Sequence, residues 1–278
     1  MRLEYFLPSP QYRSLLTMHA VVEDVGQPTI EVLPAMLPNL HIRLAGSSTY
    51  VLANGQRVPA PAVSLIGPTN AAYRVELSAG LRMVAIGFLP LGWMRLVRCS
   101  AADVADGLID GADVWGAFAC GLAREQLAAC RLDGGHARLV EDLLSSHALD
   151  QQRLALVAKT DQWLEHSPDL SVDALSRSLG VGRRHLQRVV LEAYGAPPKA
   201  LAMKYRALRA AAWMATQRPA VVTEALSGYA DQPHLNRDFR RFIGMPPGAF
   251  LRDQAGVTAS TLIGRHKAGA RRPLALWS

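Results

Sequence analysis

Seven side chains in two groups are spaced to read nucleic-acid bases. Arg184, Gln187 and Arg188 form one group; Gln232, Asn236, Arg237 and Arg240 form the other. Arg pairs bidentately with guanine O6 and N7, and Gln or Asn with adenine N6 and N7, so such side chains on one helix face can address base edges in a major groove. Arg183, Lys204, Arg206, Arg209 and Arg241 flank the groups and are expected to contact phosphates. A solvated basic face is the plain alternative for either group alone.

The two groups occupy equivalent places in a repeat. Residues 178–201 align without a gap onto residues 227–250, and Ser178, His185, Leu186, Arg188, Gly195, Pro197, Pro198 and Ala200 are matched by Ser227, His234, Leu235, Arg237, Gly244, Pro246, Pro247 and Ala249. A repeat at this scale marks a repeated supersecondary unit. In the first copy Ser171 caps a short helix over Val172–Leu179, Gly180-Val181-Gly182 turns, and a second helix runs over Arg183–Tyr194 to Gly195. Short helix, glycine turn and second helix make a helix-turn-helix. Leu186, Val189, Val190 and Ala193 fall at i, i+3, i+4 and i+7 and form its inward stripe. In the second copy Asp231 caps a helix over Gln232–Ile243, with Leu235, Phe239 and Phe242 inward. A continuous helix from Pro198 to about Thr216 lies between. At about 1.5 Å per residue it spans roughly 27 Å, suited to holding two helices in major-groove segments about 34 Å apart.

Charge supports this placement. Of a net +7, residues 1–149 hold 11 Lys/Arg against 13 Asp/Glu, whereas residues 150–278 hold 19 against 10. The basic half is the half with the repeat, the expected footprint of a double-stranded DNA partner.

The first hundred residues read differently. Short apolar runs at Leu15–Val22, Thr29–Leu33, Leu40–Leu44, Thr49–Leu52, Ala62–Ile66, Ala71–Leu77 and Leu81–Phe88 are cut by Gly, Pro and Asn, the pattern of a β-sandwich or small barrel. Residues 90–149 change to helical period, with helices expected over Asp113–Cys130 (inward face Val114, Phe118, Leu122, Leu127) and His136–Leu149. These helices are expected either to pack on the β segment or to form a homodimer. A mostly apolar pocket needs no motif; His41, Arg43, Arg82 and Trp93 are the candidate anchors for a small-molecule effector. Residues 252–278 read as a basic, mobile tail.

Several classes find no support. No His-x-His pair, phosphate loop, nucleophile elbow or His-Glu-x-x-His occurs, so no catalytic residue, metal or cofactor is expected. Cys99, Cys120 and Cys130 are odd in number and irregularly spaced, the usage of reduced cysteines. No apolar run reaches the ~20 residues of a membrane span, and the N-terminus lacks a signal-peptide pattern; a cytoplasmic location is expected.

Residues 150–251 resemble the AraC/XylS-type DNA-binding domain. The carrying residues are Ala174-Leu175-Ser176, His185-Leu186-Gln187-Arg188, Arg206 with Ala210 and Trp213-Met214, the run Gly228 to Phe242, and Gly244, Pro246 and Pro247. The resemblance implies an all-α domain with two helix-turn-helix units, base contacts at the seven residues above, and RNA polymerase as a partner. One departure is a compressed segment, Val221–Leu226, before the second turn, which sets Glu224 against Leu175 and predicts a weaker second unit. More weakly, residues 1–149 are similar to the cupin-like β-rich sensor segment of some such regulators, with Ala105–Leu108 to Trp115-Gly116 as its helical part. The fold expected is therefore a β-rich sensor or dimerisation domain (1–149, with a helical bridge at 90–149), an all-α domain (150–251) and a tail. The competing readings are a DNA-targeted enzyme, such as an alkyl-transfer repair protein, and an architectural DNA binder without effector.

Overall fold

Alternating and β-branched runs in the first ninety residues form strands whose apolar faces meet in one sandwich. The computed structural model describes residues 1–23, 25–97, 99–144, 151–167, 170–216, 229, 231–253, 256–270 and 273–277. Ten strands are present among them: β1 (Arg2–Phe6), β2 (Leu16–Glu23), β3 (Thr29–Leu33), β4 (Asn39–Ala45), β5 (Ser48–Val51), β6 (Arg57–Pro59), β7 (Val63–Ile66), β8 (Tyr73–Leu77), β9 (Arg82–Phe88) and β10 (Leu108–Asp110). They make a six-stranded sheet, β1-β2-β9-β4-β7-β10, and a four-stranded sheet, β3-β8-β5-β6. Every pairing is antiparallel. The seven expected strands are all there. β1, β6 and β10 are additions: β6 and β10 have three residues each, too short to show a period, and β1 lies at the chain start.

The helical bridge departs from expectation. The single helix expected over Asp113–Cys130 is two, α2 (Ala112–Trp115) and α3 (Ala117–Ala129), separated by Gly116 at φ 85°. That break turns the face. Cys120, Ala123 and Leu127 are buried, whereas Phe118 and Leu122, expected inward, are 85% and 45% exposed. The helix expected over His136–Leu149 is described as α4, His136–Glu141, and residues 145–150 lie outside the described residues. A short α1 (Pro90–Leu96) precedes them and buries Trp93. Cys120, Leu127, Leu132 and Val140 join Leu40, Ile42 and Val84 in one core, so the bridge packs on the six-stranded sheet.

The C-terminal half is helical: α5 (Gln151–His166), α6 (Val172–Leu179), α7 (Arg183–Tyr194), α8 (Pro198–Thr216), α9 (Gln232–Phe242), α10 (Pro247–Arg252) and α11 (Val257–Lys267). Its core gathers Leu186, Val189, Val190, Leu208, Leu235 and Phe239. The compressed segment Val221–Leu226 lies outside the described residues. Within the mobile tail expected over 252–278, residues 256–270 and 273–277 are instead folded. α11 and a 3₁₀ turn at Pro273–Leu276 are folded against the β half, because Thr258, Leu262 and Arg265 recur at helical spacing and are buried together. The remaining basic tail residues, Arg271 and Arg272, lie outside the described residues.

The two halves meet along the ends of the repeated units. The amide of Ala101 donates to Glu192 O near the end of α7, and those of Ala72 and Ala35 donate to Arg241 O and Phe242 O at the end of α9. These are carbonyls that helix ends leave without intrahelical donors. The matched glycines just beyond, Gly195 (φ 72°) and Gly244 (φ 89°), sit against Pro68 and Val32, where a Cβ would come within 2.4 Å and 2.5 Å of those side chains. Both units are thus docked on the same domain by the same part of the repeat.

Candidate nucleic-acid interface and an interior cavity

Local sequence builds the first unit as expected. The Ser171 hydroxyl accepts from the amide of Ala174, and Gly180, in the left-handed region, ends α6. The Ser176 hydroxyl donates to Val181 O at 2.7 Å, which holds the turn. α7 then buries Leu186, Val189, Val190 and Ala193 at 1% exposure or less, leaving Arg184, Gln187 and Arg188 exposed along the opposite face. Arg188 Nη2 lies 3.2 Å from His185 Nδ1, one turn back. Arg183 is exposed and pairs with Asp173 at 2.7 Å across the turn. On the inner side Tyr194 donates to Val157 O and to Asp161 Oδ1, and Arg153 pairs with Glu192, so α5 fixes the far end of α7.

The second unit repeats the logic with different partners. The Asp231 carboxylate accepts from the amide of His234 at 2.7 Å, and Pro233 occupies the first turn, where no N–H is needed. Leu235, Phe239 and Phe242 are buried; Gln232, Arg237, Arg240 and Arg241 are exposed and Asn236 is half-buried. His234, the equivalent of His185, faces Asp238 at 3.6 Å rather than its neighbouring Arg. α8 connects the units; its 19 residues run about 28 Å at the usual rise.

Two of the expected phosphate contacts, Lys204 and Arg209, sit elsewhere, and a third, Arg206, is half-buried against a ring. Lys204 does not face solvent: it is 2% exposed, and Nζ donates to Met36 O (2.9 Å) and Thr69 O (2.7 Å) in the β half. Its inward face of α8 is the face that meets the sandwich, and burial pushes its ammonium down to about 7. Arg209 is half-buried and donates to Ser167 O at 2.7 Å, tying α8 to the end of α5. Arg206 lies over the Tyr229 ring, 5.7 Å from its centroid.

A partly open cavity of about 110 Å³ lies between the sheets, walled by Tyr50, Tyr73, Val75 and Met83 and lined on one side by Leu262, Arg265 and Trp277 of the C-terminal segment. His41 lines it, with Nδ1 2.5 Å from the Tyr50 hydroxyl; burial, then the charge of Arg265, pushes the imidazole down to about 4. Tyr50 and Tyr73 stack with centroids 6.0 Å apart, and burial raises both phenols. Of the other expected anchors, Trp93 is fully buried and donates to Cys99 O, Arg82 pairs with Glu23 at 2.8 Å, and Arg43 donates to Ala60 O at 3.0 Å. Each is structural and none lines the cavity, because their polar groups are engaged at strand ends and loops around it.

Residues 175–253 match the family model described as a helix-turn-helix domain. The chain carries a helix-turn-helix domain over these residues, similar to the AraC type. No curated protein sequence matches the chain. Among solved structures, ToxT from Vibrio cholerae is similar at 12% identity and a TM-score of 0.47, covering 84% of this chain and 97% of that one. ToxT bound to (E)-4-(8-methylnaphthalen-1-yl)but-3-enoic acid matches at 11% identity and a TM-score of 0.47 over 90% and 98% of the two chains. Unsaturated fatty acid-bound ToxT matches at 13% and 0.44 over 84% and 94%. The matched domain begins inside α6 and ends at Asp253, just after α10. It contains all seven expected base-reading residues. The residues that sequence reading missed are outside it: Arg265 and Trp277, assigned to a tail, and Tyr50 and Tyr73, hidden in strands. The signal for Arg265 was the buried spacing of Thr258, Leu262 and Arg265.

Proposed function

We propose that the protein is a sequence-specific transcription regulator that reads double-stranded DNA with α7 and α9 and responds to a small molecule held in the sandwich cavity. The observation that carries this reading is the pair of equivalent helices, each buried on its apolar stripe and exposed along a face of Arg and Gln side chains, at the two ends of α8. Arg184, Gln187 and Arg188 read one groove; Gln232, Asn236, Arg237 and Arg240 read the next. Arg183 and Arg241, both exposed, contact phosphates. A monomer thereby covers two successive grooves, and RNA polymerase is the partner through which binding is read out, in the cytoplasm. Selection of bound DNA from a random pool tests this, with two preferred motifs expected and a lack of any preference refuting it.

Coupling between cavity and DNA-binding domain runs through residues 33–39. Leu33, Pro34, Met36 and Asn39 line the cavity, while Ala35 N, Met36 O and Leu37 N bond Phe242 O, Lys204 Nζ and Trp277 O. One extended segment therefore touches both the effector space and the two elements that set the second recognition helix. No helix among the described residues is long and apolar enough to cross a membrane.

Homodimerisation through the N-terminal half uses the exposed side of α3, where Phe118 and Leu122 project. Phe118→Glu is expected to convert a dimer to a monomer in sedimentation equilibrium; a dimer that survives it refutes this surface. The alkyl-transfer reading needs a reactive thiolate. Cys99, Cys120 and Cys130 are all pushed up, chiefly by burial, which disfavours that form.

A further inference from the structure

The loop between β7 and β8, residues 67–72, carries the chain from one sheet of the sandwich to the other. It also touches both repeated units and the helix between them. Pro68 packs on Gly195, just past α7, where a Cβ would come within 2.4 Å of its ring. The carbonyl of Thr69 accepts from Lys204 Nζ of α8 at 2.7 Å. The amide of Ala72 donates to Arg241 O near the end of α9 at 2.8 Å, and its side chain lies 3.2 Å from where a Cβ on Gly244 would sit. Pro68 and Ala72 are four residues apart, so the two helix ends rest on points no more than about 14 Å from each other.

The loop is itself held along its length. The amide of Gly67 donates to Gly107 O, and Pro68 O accepts from the amide of Asp106, both at 3.0 Å. The amide of Thr69 donates to Met36 O at 3.1 Å, and its hydroxyl accepts from the amide of Met36 at 2.8 Å. The Asp106 carboxylate takes the Asn70 amide at 2.6 Å and the Asn70 side-chain nitrogen at 3.0 Å. Asn70 Nδ2 also lies 3.5 Å from Gly195 O, at the end of α7. These contacts use backbone at the C-terminal ends of α7 and α9 and leave Arg184, Gln187, Arg188, Gln232 and Arg237 exposed. Through α8 the two reading helices share one connection. The loop adds a second, which closes the path into a ring. A link with one connection bends at its joints; a ring holds its angles.

We propose that the β7–β8 loop, held by the Asn70–Asp106 pair, is the brace that fixes the separation and angle of α7 and α9, and that it thereby sets the spacing between the two DNA motifs the protein reads. Asn70 and Asp106 are positioning residues, acting through the loop backbone on the two helix ends. Each base pair added between two motifs moves them about 3.4 Å apart and turns one about a tenth of a turn around the axis relative to the other. A braced pair of helices accepts one such arrangement, and a hinged pair accepts several. This rests on the DNA-reading proposal above and adds to it the part of the β half that sets its geometry.

The test uses the full chain and duplexes carrying the two motifs it selects from a random pool, at the commonest spacing and with one or two base pairs added or removed between them. A duplex with the α7 motif alone is the reference. The wild-type chain is expected to prefer its own spacing by roughly tenfold or more over each neighbour, because simultaneous engagement fails when geometry forbids it. Asp106→Gly removes the carboxylate and suits the left-handed backbone at this position (φ 56°). Asn70→Ala removes the side chain that meets it. Both are expected to reduce the preference to about threefold or less while affinity for the single-motif duplex stays within about twofold of wild type. Asp106→Asn tolerates the same backbone and keeps an oxygen for the Asn70 amide, and is expected to retain the wild-type preference. A general loss of stability weakens every duplex alike and leaves their ranking intact, so an unchanged preference in both Asp106→Gly and Asn70→Ala overturns the brace. A single-motif affinity that falls as far as the paired one overturns it too. A wild-type chain that selects two motifs but is indifferent to their spacing refutes this inference alone, whereas one that selects no motif refutes the DNA-reading proposal.

Discussion

The ammonium of Lys204 donates to the carbonyl oxygen of Met36 at 2.9 Å, joining the helix between the two repeated units to the wall of the cavity in the sandwich. A second bond to Thr69 O completes the site. This gives Lys204 the role of an interdomain tie and takes it out of contact with phosphate. Lys204→Ala is expected to leave the slope of log affinity against log salt unchanged, since no phosphate contact is lost. It is expected to speed proteolysis between the halves, since two buried carbonyls lose their donor. A slope flattened by about one unit would return Lys204 to the phosphate set.

Arg188 has the opposite character. It is exposed on α7, with His185 3.2 Å behind it to hold the guanidinium. Arg188→Ala is expected to cost about 1–3 kcal/mol on the preferred sequence and to relax preference at one position of one half-site. Competition binding against single-base variants of the selected site measures this, and a variant that loses affinity equally for all of them contradicts base reading.

Acid should loosen the sandwich. Burial, then the nearby His19, pushes His136 down to about 4. Its Nδ1 accepts from the amide of Gly134 at 3.2 Å, which places the proton on Nε2. The folded value lies below the unfolded value of 6.5. Above pH about 6.5 both states are neutral there and stability is unaffected. As pH falls the unfolded chain takes the proton first, and stability declines until the folded state protonates as well, by up to about 3 kcal/mol at pH 4. The Glu141 carboxyl, held below its ordinary value despite the opposing effect of burial by hydrogen bonds from His19 and Ser9, adds a loss of the same sign at lower pH. Urea unfolding at pH 8, 6 and 5 should show the decline, and His136→Gln should reduce it. A stability that rises between pH 8 and 5 would contradict the neutral buried imidazole.

The helical half was legible because local signals and tertiary demands coincide there. Ser171, Gly180, Gly195 and Asp231 cap helices for backbone reasons, and the stripe Leu186, Val189, Val190, Ala193 is the face that is buried. The strands were legible as runs; their order was not, since β9 lies between β2 and β4, and pairing across such separations leaves no local trace. Phe118 misled because a helix period was carried across Gly116, which restarts the helix at a new angle. Arg265 was hidden by composition. Glycine and basic residues around it read as a solvated tail, and only its partners in the sandwich, distant in sequence, make it part of a site. Lys204 failed for the same reason: charge suggested solvent, and the carbonyls that receive it lie more than a hundred residues away.

DNA selection bears most directly on the two-groove reading. The full chain, presented with a random duplex pool, should enrich two short motifs whose centres lie about 10 base pairs apart, one helical turn. Arg188→Ala should degrade only the motif read by α7, and Arg237→Ala only the other. Enrichment of a single motif unaffected by Arg237→Ala would contradict the use of both helices. Recovery of the pool without sequence preference would contradict base reading altogether.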